Sequence, residues 1–160
     1  MDLVRKRRRR IAALVCLLTL AGLPVMAAIQ NWAVVTAPGS KLQDVPLSDL
    51  SKMCKGSQKA WPDGKGFVLV IHDPEDPEMR AVIQKLFGVA SADVKPLLAK
   101  INEARQVVKI VDSDEDLIRT VAATPGAVGL LDVYAINSTV KVLRIDGKLP
   151  FDAGYILKGN

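Results

Sequence analysis

Cysteine and histidine are scarce in this 160-residue chain, which contains two cysteines, Cys16 and Cys54, and one histidine, His72. If the N-terminal segment is removed, only Cys54 remains, so no intramolecular disulfide can form. We expect Cys54 to be a buried thiol. His72 is the only imidazole, and no serine or cysteine stands in a nucleophile-elbow context. We therefore expect a non-catalytic protein without a cofactor.

A surplus of basic residues is also missing once the N-terminus is set aside. The formal net charge is +5, but six of the 22 basic residues and one of the 17 acidic residues precede residue 29, which leaves 16 of each. Nucleic-acid binding requires a basic surface that releases counterions from phosphates. Because the remaining chain is neutral, nucleic acid is excluded as a partner.

The N-terminus has the pattern of an export signal. Residues 5–10 are all basic and residues 11–28 are uncharged, as in the n-region and h-region of a signal peptide. Val25 and Ala27 occupy the −3 and −1 positions of a cleavage site, and a cut after Ala28 is nearly as good. A retained anchor is the alternative, since about 18 apolar residues are at the lower limit for crossing a bilayer. We expect a periplasmic or secreted protein that meets the membrane only through residues 1–28, with one domain over residues 29–160.

Apolar patterning predicts an α/β domain in the rest of the chain. Nearly continuous apolar runs predict buried strands, and one alternating run predicts a half-exposed edge strand. Strands are predicted at residues 32–36 and 107–111, buried strands at 67–71 and 127–131, and the edge strand at 140–145. Apolar residues three and four positions apart predict helices. These lie at residues 46–56, 77–87 and 91–104, and from Ser113 onward. Trp61 is expected to pack over its own turn and Tyr155 to cover the sheet edge.

Two segments resemble the phosphate-type periplasmic substrate-binding proteins of ABC transporters, in particular short single-lobe members. Residues 50–64 end in Trp61-Pro62-Asp63-Gly64 and are similar to the family's Leu, apolar pair, Lys-Gly stop and Trp-x-Asp-Gly pattern. Residues 111–129 lead into Pro125-Gly126-Ala127-Val128-Gly129, similar to the family's Pro-Gly-Ala-Ile-Gly-Tyr. The resemblance covers roughly residues 32–157. It implies one lobe of a type II periplasmic binding protein fold, with a mixed β-sheet flanked by helices.

The resemblance also implies a site for a small oxyanion such as phosphate, held by loop hydroxyls and by backbone N–H groups at helix N-termini. The candidate ligand-binding residues are Thr36, Ser40, His72, Asp73, Asp76 and Arg80. For Arg80, a solvated or ion-paired side chain is the alternative. Family members have two lobes, and the residues after the leader suffice for about one, so a two-walled cleft would need a partner or a second copy.

The loop at residues 72–78 departs from the family's anion-binding loop. Four carboxylates replace small hydrogen-bond donors there, and Pro74 and Pro77 remove backbone N–H groups. Two like charges 4 Å apart repel by about 4 kcal/mol at an effective dielectric of about 20. We therefore expect Asp76 or a neighbouring carboxylate to cap the following helix in place of an anion. A metal site is a weaker reading, because the spacing matches no calcium loop and lacks a central glycine.

Two functions remain open at this point. The leading hypothesis is a substrate-binding-like protein that captures a small oxyanion for an ABC transporter. The other is an envelope accessory or interaction protein that keeps the lobe as a scaffold and engages another envelope protein. The acidic loop and the missing second lobe favour the second function.

Overall fold

The structure is a computed structural model that describes residues 30–158, so the predicted leader lies outside the described residues. Its strands and helices alternate along the chain. The strands are β1 (Trp32–Thr36), β2 (Asp44–Val45), β3 (Val68–Ile71), β4 (Val108–Ile110), β5 (Ala127–Asp132), β6 (Lys141–Val142) and β7 (Arg144–Ile145). The helices are α1 (Leu47–Cys54), α2 (Pro77–Phe87), α3 (Val94–Ala104) and α4 (Asp114–Ala123). Single 3₁₀ turns precede α3 at Ser91–Asp93 and follow β5 at Val133–Ala135.

The main sheet is mixed and has the strand order β4-β3-β5-β1-β6. β3 pairs in parallel with both β4 and β5, whereas β1 is antiparallel to β5 and to β6. Residues on each interior strand alternate between the two faces of the sheet. Leu69 and Ile71 of β3 join one core with α1, α2 and α3, while Val70 joins a second core with α4. The fold is therefore a three-layer α/β structure with a mixed sheet flanked by helices, as predicted.

The second core requires a glycine in β5. A Cβ atom at Gly129 would lie 2.6 Å from Leu117 Cδ2 and 2.9 Å from Val121 Cγ2. Both are inward-facing residues of α4, and both are fully buried. The missing side chain thus lets α4 pack closely on the middle of the sheet.

The prediction of one edge strand over residues 140–145 was wrong. β6 pairs with the end of β1, but β7 leaves the main sheet and pairs in parallel with β2 in a separate two-stranded sheet. Leu143, between the two strands, is fully buried, and its N–H donates to the carbonyl of Val34 at 2.8 Å. The alternation of apolar and basic residues over 140–145 thus belongs to two short strands in different sheets, with the buried Leu143 between them.

The predicted place of Tyr155 at the sheet edge is confirmed. Its ring is buried in the first core, and its hydroxyl donates to the carbonyl of Trp32 at 2.8 Å. β6 pairs only with Val35 and Thr36 of β1, and the N–H of Trp32 donates to the carbonyl of Leu157, so the C-terminal segment covers the side of β1 that β6 leaves open. Burial of the ring raises the pKa of the phenol above its usual value.

A side chain of α3 covers the start of the open sheet edge at β4. Asn102 Oδ1 accepts from the backbone N–H groups of Val107 and Val108, and its Nδ2 donates to the carbonyl of Val108 at 2.9 Å. The amide therefore satisfies the backbone groups of Val108 that would otherwise be open to another strand. Among residues 30–158, no helix is both long and apolar enough to span a bilayer.

Candidate functional site

An open cavity of about 570 Å³ lies at the C-terminal edge of the parallel strands. The strand β3 continues into α2 on one face of the sheet, and β4 continues into α4 on the opposite face. A crevice forms where neighbouring strands connect to opposite faces, and α/β proteins commonly bind ligands there. The cavity is lined by Gln30, Trp32, His72, Asp73, Asp76, Glu78, Met79, Val111, Asp112, Ser113, Asp114 and Glu115.

Asp76 caps one of the two helices that begin beside this cavity. Its Oδ1 accepts from the N–H groups of Glu78 at 2.8 Å and Met79 at 3.3 Å, with Pro77 in the first helical position. The expected capping by a carboxylate of the loop is therefore confirmed. Asp73 acts in the same way one turn earlier, where its Oδ1 accepts from the N–H of Glu75 at 2.8 Å. The N–H groups that an anion would use at this helix are already paired.

The second helix, α4, is capped by Ser113, whose Oγ accepts from the N–H of Asp116 at 3.2 Å. Its first turn carries Asp114, Glu115 and Asp116. Negative side chains are favourable there because the helix N-terminus carries partial positive charge. The acidic side chains of the chain itself thus already occupy the position in which this terminus could stabilise a bound anion.

His72 connects the two sides of the cavity. Its Nε2 lies 2.9 Å from Asp114 Oδ1, which joins the end of β3 to the start of α4. The imidazole is mostly buried, and its ring centre is 6.3 Å from that of Trp32. His72 therefore has a structural partner, and in this arrangement no serine or cysteine is paired with it among the described residues.

The floor of the cavity is apolar. It includes Trp32, Met79 and Val111, all of which belong to or border the cores. Trp32 is 5% exposed, and its Nε1 is buried without a hydrogen-bond partner among the described residues. Most buried polar groups are paired, and an unpaired one costs roughly 1–3 kcal/mol. The indole N–H is therefore a buried donor without an acceptor among the described residues.

The rim of the cavity is strongly acidic. Six carboxylate residues line it, and none of the described lining residues is lysine or arginine. The acidic residues are Asp73, Asp76, Glu78, Asp112, Asp114 and Glu115. Low-dielectric walls strengthen the field of such a one-signed cleft, so it attracts cations and repels anions. No three His, Cys, Asp or Glu side chains of residues 30–158 are grouped closely enough to hold a metal ion.

The six residues predicted to bind a ligand do not form one site. His72, Asp73 and Asp76 line the cavity, whereas Thr36 and Ser40 lie at the other end of the sheet, because β1 runs antiparallel to β5. Thr36 ends β1, roughly 14 Å along the strand from Trp32 at about 3.4 Å per residue. Its buried hydroxyl donates to the carbonyl of Ala127 at 3.0 Å, and Ser40 Oγ accepts from the N–H of Leu42.

Arg80 is outside the residues that line the cavity. Its Nη2 donates to the carbonyl of Glu75 at 2.7 Å, so the guanidinium supports the loop before α2. The predicted alternatives were a ligand contact and a solvated or ion-paired side chain. The observed hydrogen bond to a backbone carbonyl is exposed and is compatible with the solvated alternative, and Arg80 forms no ion pair among the described residues. This contact holds the acidic loop against the helix that it precedes.

The sequence missed Trp32, Asp112 and Glu115 as lining residues. Trp32 was predicted only as part of a strand, and the residues from Ser113 onward only as a helix. The available signal was positional: both acidic segments directly follow strands that run parallel, and the carboxyl ends of parallel strands meet at one edge of a sheet.

The two segments that carry the family resemblance contact each other away from the cavity. Trp61 is buried, packs edge-on against Phe67, and donates from Nε1 to the carbonyl of Gly126 at 2.8 Å. A Cβ atom at Gly126, where φ is +86°, would collide with the carbonyl oxygen of Gly66. These residues therefore fix the loop before β3 to the loop before β5. They support the fold and do not line the acidic cavity.

Cys54 lies at the end of α1 in the first core and is fully buried, as expected. It is the only cysteine of residues 30–158 and forms no disulfide. Burial in apolar surroundings raises the pKa of the thiol well above its usual range. The thiol is therefore protonated and inaccessible in the folded protein.

A single α/β lobe with a crevice at the ends of its parallel strands is typical of binding proteins. No protein-family model matches the chain. Two curated relatives, phosphate-binding protein PstS 2 from Streptococcus agalactiae serotype V and serotype III strains, are 31% identical to it over 92 residues. The match covers 58% of this chain and only 31% of each relative's length.

Solved structures show the same fold. An ABC-type phosphate transport receptor from Vibrio cholerae superposes with a TM-score of 0.60 at 18% identity, covering 76% of this chain and 48% of that protein. PstS from Borrelia burgdorferi gives a TM-score of 0.61 at 18% identity, covering 82% of this chain and 55% of that protein. The chain thus carries a phosphate-binding-protein-like domain, about half the length of these structures. The predicted resemblance and fold class are confirmed.

Proposed function

We propose that this protein is an exported, non-catalytic relative of phosphate ABC transporter binding components that engages another envelope protein and does not capture free phosphate. The single observation that carries the proposal is the capped, acidic cavity. Asp76 pairs with the N–H groups of α2, and six carboxylates surround the opening without a lysine or arginine among the described lining residues. The relatives are named for phosphate binding or phosphate transport, and we propose that this chain differs from them in the residues of this site.

The absence of catalysis is part of this proposal. The relatives are binding and transport proteins, not enzymes. His72 is engaged by Asp114, and Cys54 is buried with a raised pKa. Cys54 has no access to a substrate, and no serine or cysteine among the described residues is paired with His72 as a nucleophile would be.

Export is proposed from the N-terminal pattern. The basic run at residues 5–10 and the uncharged residues 11–28 support a signal peptide or a retained anchor. Either one would place the phosphate-binding-protein-like domain in the periplasm or outside the cell. N-terminal sequencing of the secreted or membrane-bound protein separates the two, because cleavage after Ala27 or Ala28 leaves a new N-terminus.

Oxyanion capture for an ABC transporter is the second candidate. The cavity lies at the ends of parallel strands and beside the N-termini of two helices, which is favourable placement for an anion. The chain spans about half of the solved relatives, so a partner or a second copy would supply the opposite wall. In that case phosphate would bind only to the completed assembly.

Calorimetry of the purified protein against phosphate and sulfate, with thermal unfolding in parallel, tests the two functions. A ligand that binds the folded state stabilises it by about 2.7 kcal/mol at 100 times its dissociation constant. We expect no heat and no change in Tm up to millimolar phosphate. A Tm that rises with phosphate would refute the scaffold proposal, and a dimer that phosphate stabilises in light scattering would establish capture by two copies.

A further inference from the structure

The edge strand β4 contains a residue whose backbone groups face away from the sheet without a partner. The carbonyl of Val107, just before the strand, accepts from β3 at 2.7 Å. Alternate residues of a strand point toward its neighbour in a parallel ladder, so the odd-numbered residues of this segment face β3 and the even-numbered ones face outward. Asn102 occupies the outward groups of Val108. The N–H and C=O of Ile110 have no hydrogen-bond partner among residues 30–158.

Ile110 also presents an apolar side chain at this edge. It is 51% exposed and borders an open groove of about 320 Å³ between β4 and α3. The exposed Ala99 and the partly exposed Pro74 line the same groove, so a guest can reach apolar surface that continues from the strand to the helix. Two charged residues of the groove, Glu75 and Lys95, already pair with each other at 2.6 Å. The groove therefore suits an apolar side chain.

Lys109 gives the other face of the strand a different character. Its side chain is exposed and forms no ion pair among the described residues. It lines a second open groove, of about 560 Å³, whose other lining residues are all uncharged. A lysine on an edge strand opposes pairing with basic or uncharged strands, whereas an opposite charge across the pair is favourable. This face therefore selects a guest with a carboxylate.

These features together specify a guest in extended conformation. A strand antiparallel to β4 would place one residue opposite Ile110, and the N–H and C=O of that residue would pair with both outward groups. Its side chain would lie on the α3 face beside Ile110. The side chain of the following residue would lie on the other face, opposite Lys109. An apolar residue followed by aspartate or glutamate matches both faces.

A second copy of this chain matches the edge less well. Two β4 strands related by a two-fold axis through Ile110 would place Val111 of one copy opposite Lys109 of the other. Each lysine would then face an aliphatic side chain and no carboxylate. Charge complementarity therefore favours a strand from a different protein.

We propose that β4 docks an extended segment of a partner protein by strand addition, with an apolar residue opposite Ile110 and an acidic residue opposite Lys109. In this mode of recognition main-chain hydrogen bonds give affinity and alternating side chains give specificity. The inference rests on the proposed scaffold function, and it specifies the surface used and the chemistry of the partner segment.

The test titrates the acetylated, amidated peptide Thr-Thr-Val-Glu-Gly-Ser, the Val-Glu peptide, into the isotopically labelled, purified protein and follows its amide resonances. One control peptide carries N-methylvaline, which removes the backbone donor, and another carries lysine in place of glutamate. We expect the Val-Glu peptide to shift the resonances of residues 109–111 and to slow hydrogen exchange at Ile110, and both controls to bind several-fold more weakly. Absence of shifts at millimolar peptide, or equal binding of the N-methylated control, would overturn the proposal.

Two pairs of matched variants locate the site. Ile110→Ser removes an exposed apolar side chain from β4, whereas Ile156→Ser removes one that is 45% exposed near the C-terminus. Lys109→Gln and Lys41→Gln each remove the charge of an exposed lysine. We expect only the β4 variants to weaken binding of the Val-Glu peptide, with a loss of up to about fivefold for Lys109→Gln. Equal effects within either pair would refute docking at β4.

Lys109→Gln has a second readout that a general loss of stability would not produce. It should abolish the preference for the Val-Glu peptide over its lysine control, because the selecting charge is gone, and urea unfolding checks that the variant is folded. A preference that persists would contradict the role of Lys109.

Light scattering tests the remaining occupant of the edge. We expect a monomer, and a dimer that Ile110→Ser abolishes would show that a second copy covers β4 and would overturn the assignment to a partner protein. These outcomes are distinguishable from those for the proposed function. A Tm that rises with phosphate refutes the scaffold function, whereas silence from the Val-Glu peptide refutes only this inference.

Discussion

The contact between the two motif loops predicts a graded response to glycine substitution. At Gly126 a Cβ would lie closer than 3.0 Å to the backbone oxygen of Gly66, and φ is +86°. A backbone atom cannot move aside as a flexible side chain does. Gly126→Ala therefore combines left-handed backbone strain with a collision against main chain, at a loop that also accepts the hydrogen bond from Trp61.

Three other glycines separate these two contributions. Gly64 has φ of +81° but open space around it, so Gly64→Ala should show the strain alone, about 1–2 kcal/mol. Gly129→Ala meets only the side chains of Leu117 and Val121, which predicts an overpacking cost of about 1–3 kcal/mol. Gly39→Ala meets nothing within 4 Å and should be nearly neutral. Gly126→Ala should exceed all three, at about 3 kcal/mol or more when strain and overpacking add.

Urea unfolding followed by circular dichroism measures the free energy of unfolding for each variant by linear extrapolation. A domain of this size has about 5–15 kcal/mol of stability, so the loss expected at Gly126 is a large share of the total. If Gly126→Ala costs no more than Gly64→Ala, the close approach of the two loops does not constrain the fold and our account of the motif contact is refuted.

Three further predictions concern single contacts. Trp61→Phe keeps the ring against Phe67 but leaves the carbonyl of Gly126 without its donor, so unfolding free energy should fall by about 1–3 kcal/mol in the same urea assay. Asn102→Ala removes three hydrogen bonds from the β4 edge, and we expect lower stability together with concentration-dependent association in light scattering. Cys54 should resist a thiol reagent such as 5,5′-dithiobis(2-nitrobenzoic acid) in the native protein and react stoichiometrically in denaturant, because burial keeps it protonated.

Each of these has a distinct contradictory result. Unchanged stability of Trp61→Phe would show that the indole hydrogen bond contributes nothing to the free energy of unfolding. Val68→Ala, at a partly buried position, is the reference for a loss of packing alone. A monomeric Asn102→Ala protein at high concentration would mean that the β4 edge is protected by something else. Rapid labelling of native Cys54 would show that α1 opens readily, since a protonated buried thiol is unreactive.

The candidate site was only partly visible in the sequence. The acidic loop and the capping role of Asp76 follow from Asp-Pro spacing before an amphipathic stretch, and the structure confirms the cap. Sequence spacing could not show whether Thr36 and Ser40 lie near His72, because the relative direction of the strands decides which strand ends lie side by side. The antiparallel pairing of β1 places Thr36 at the opposite end from the cavity.

Local patterns by themselves determined the elements of this protein, because strand and helix periodicity and helix capping act over a few residues. They placed the buried strands, the helices and the inaccessible Cys54. Only the tertiary structure decided that β7 leaves the main sheet, that Trp61 reaches Gly126, and that acidic turns from two different helices face one cavity. These features depend on pairing between residues far apart in the chain, which no local periodicity encodes.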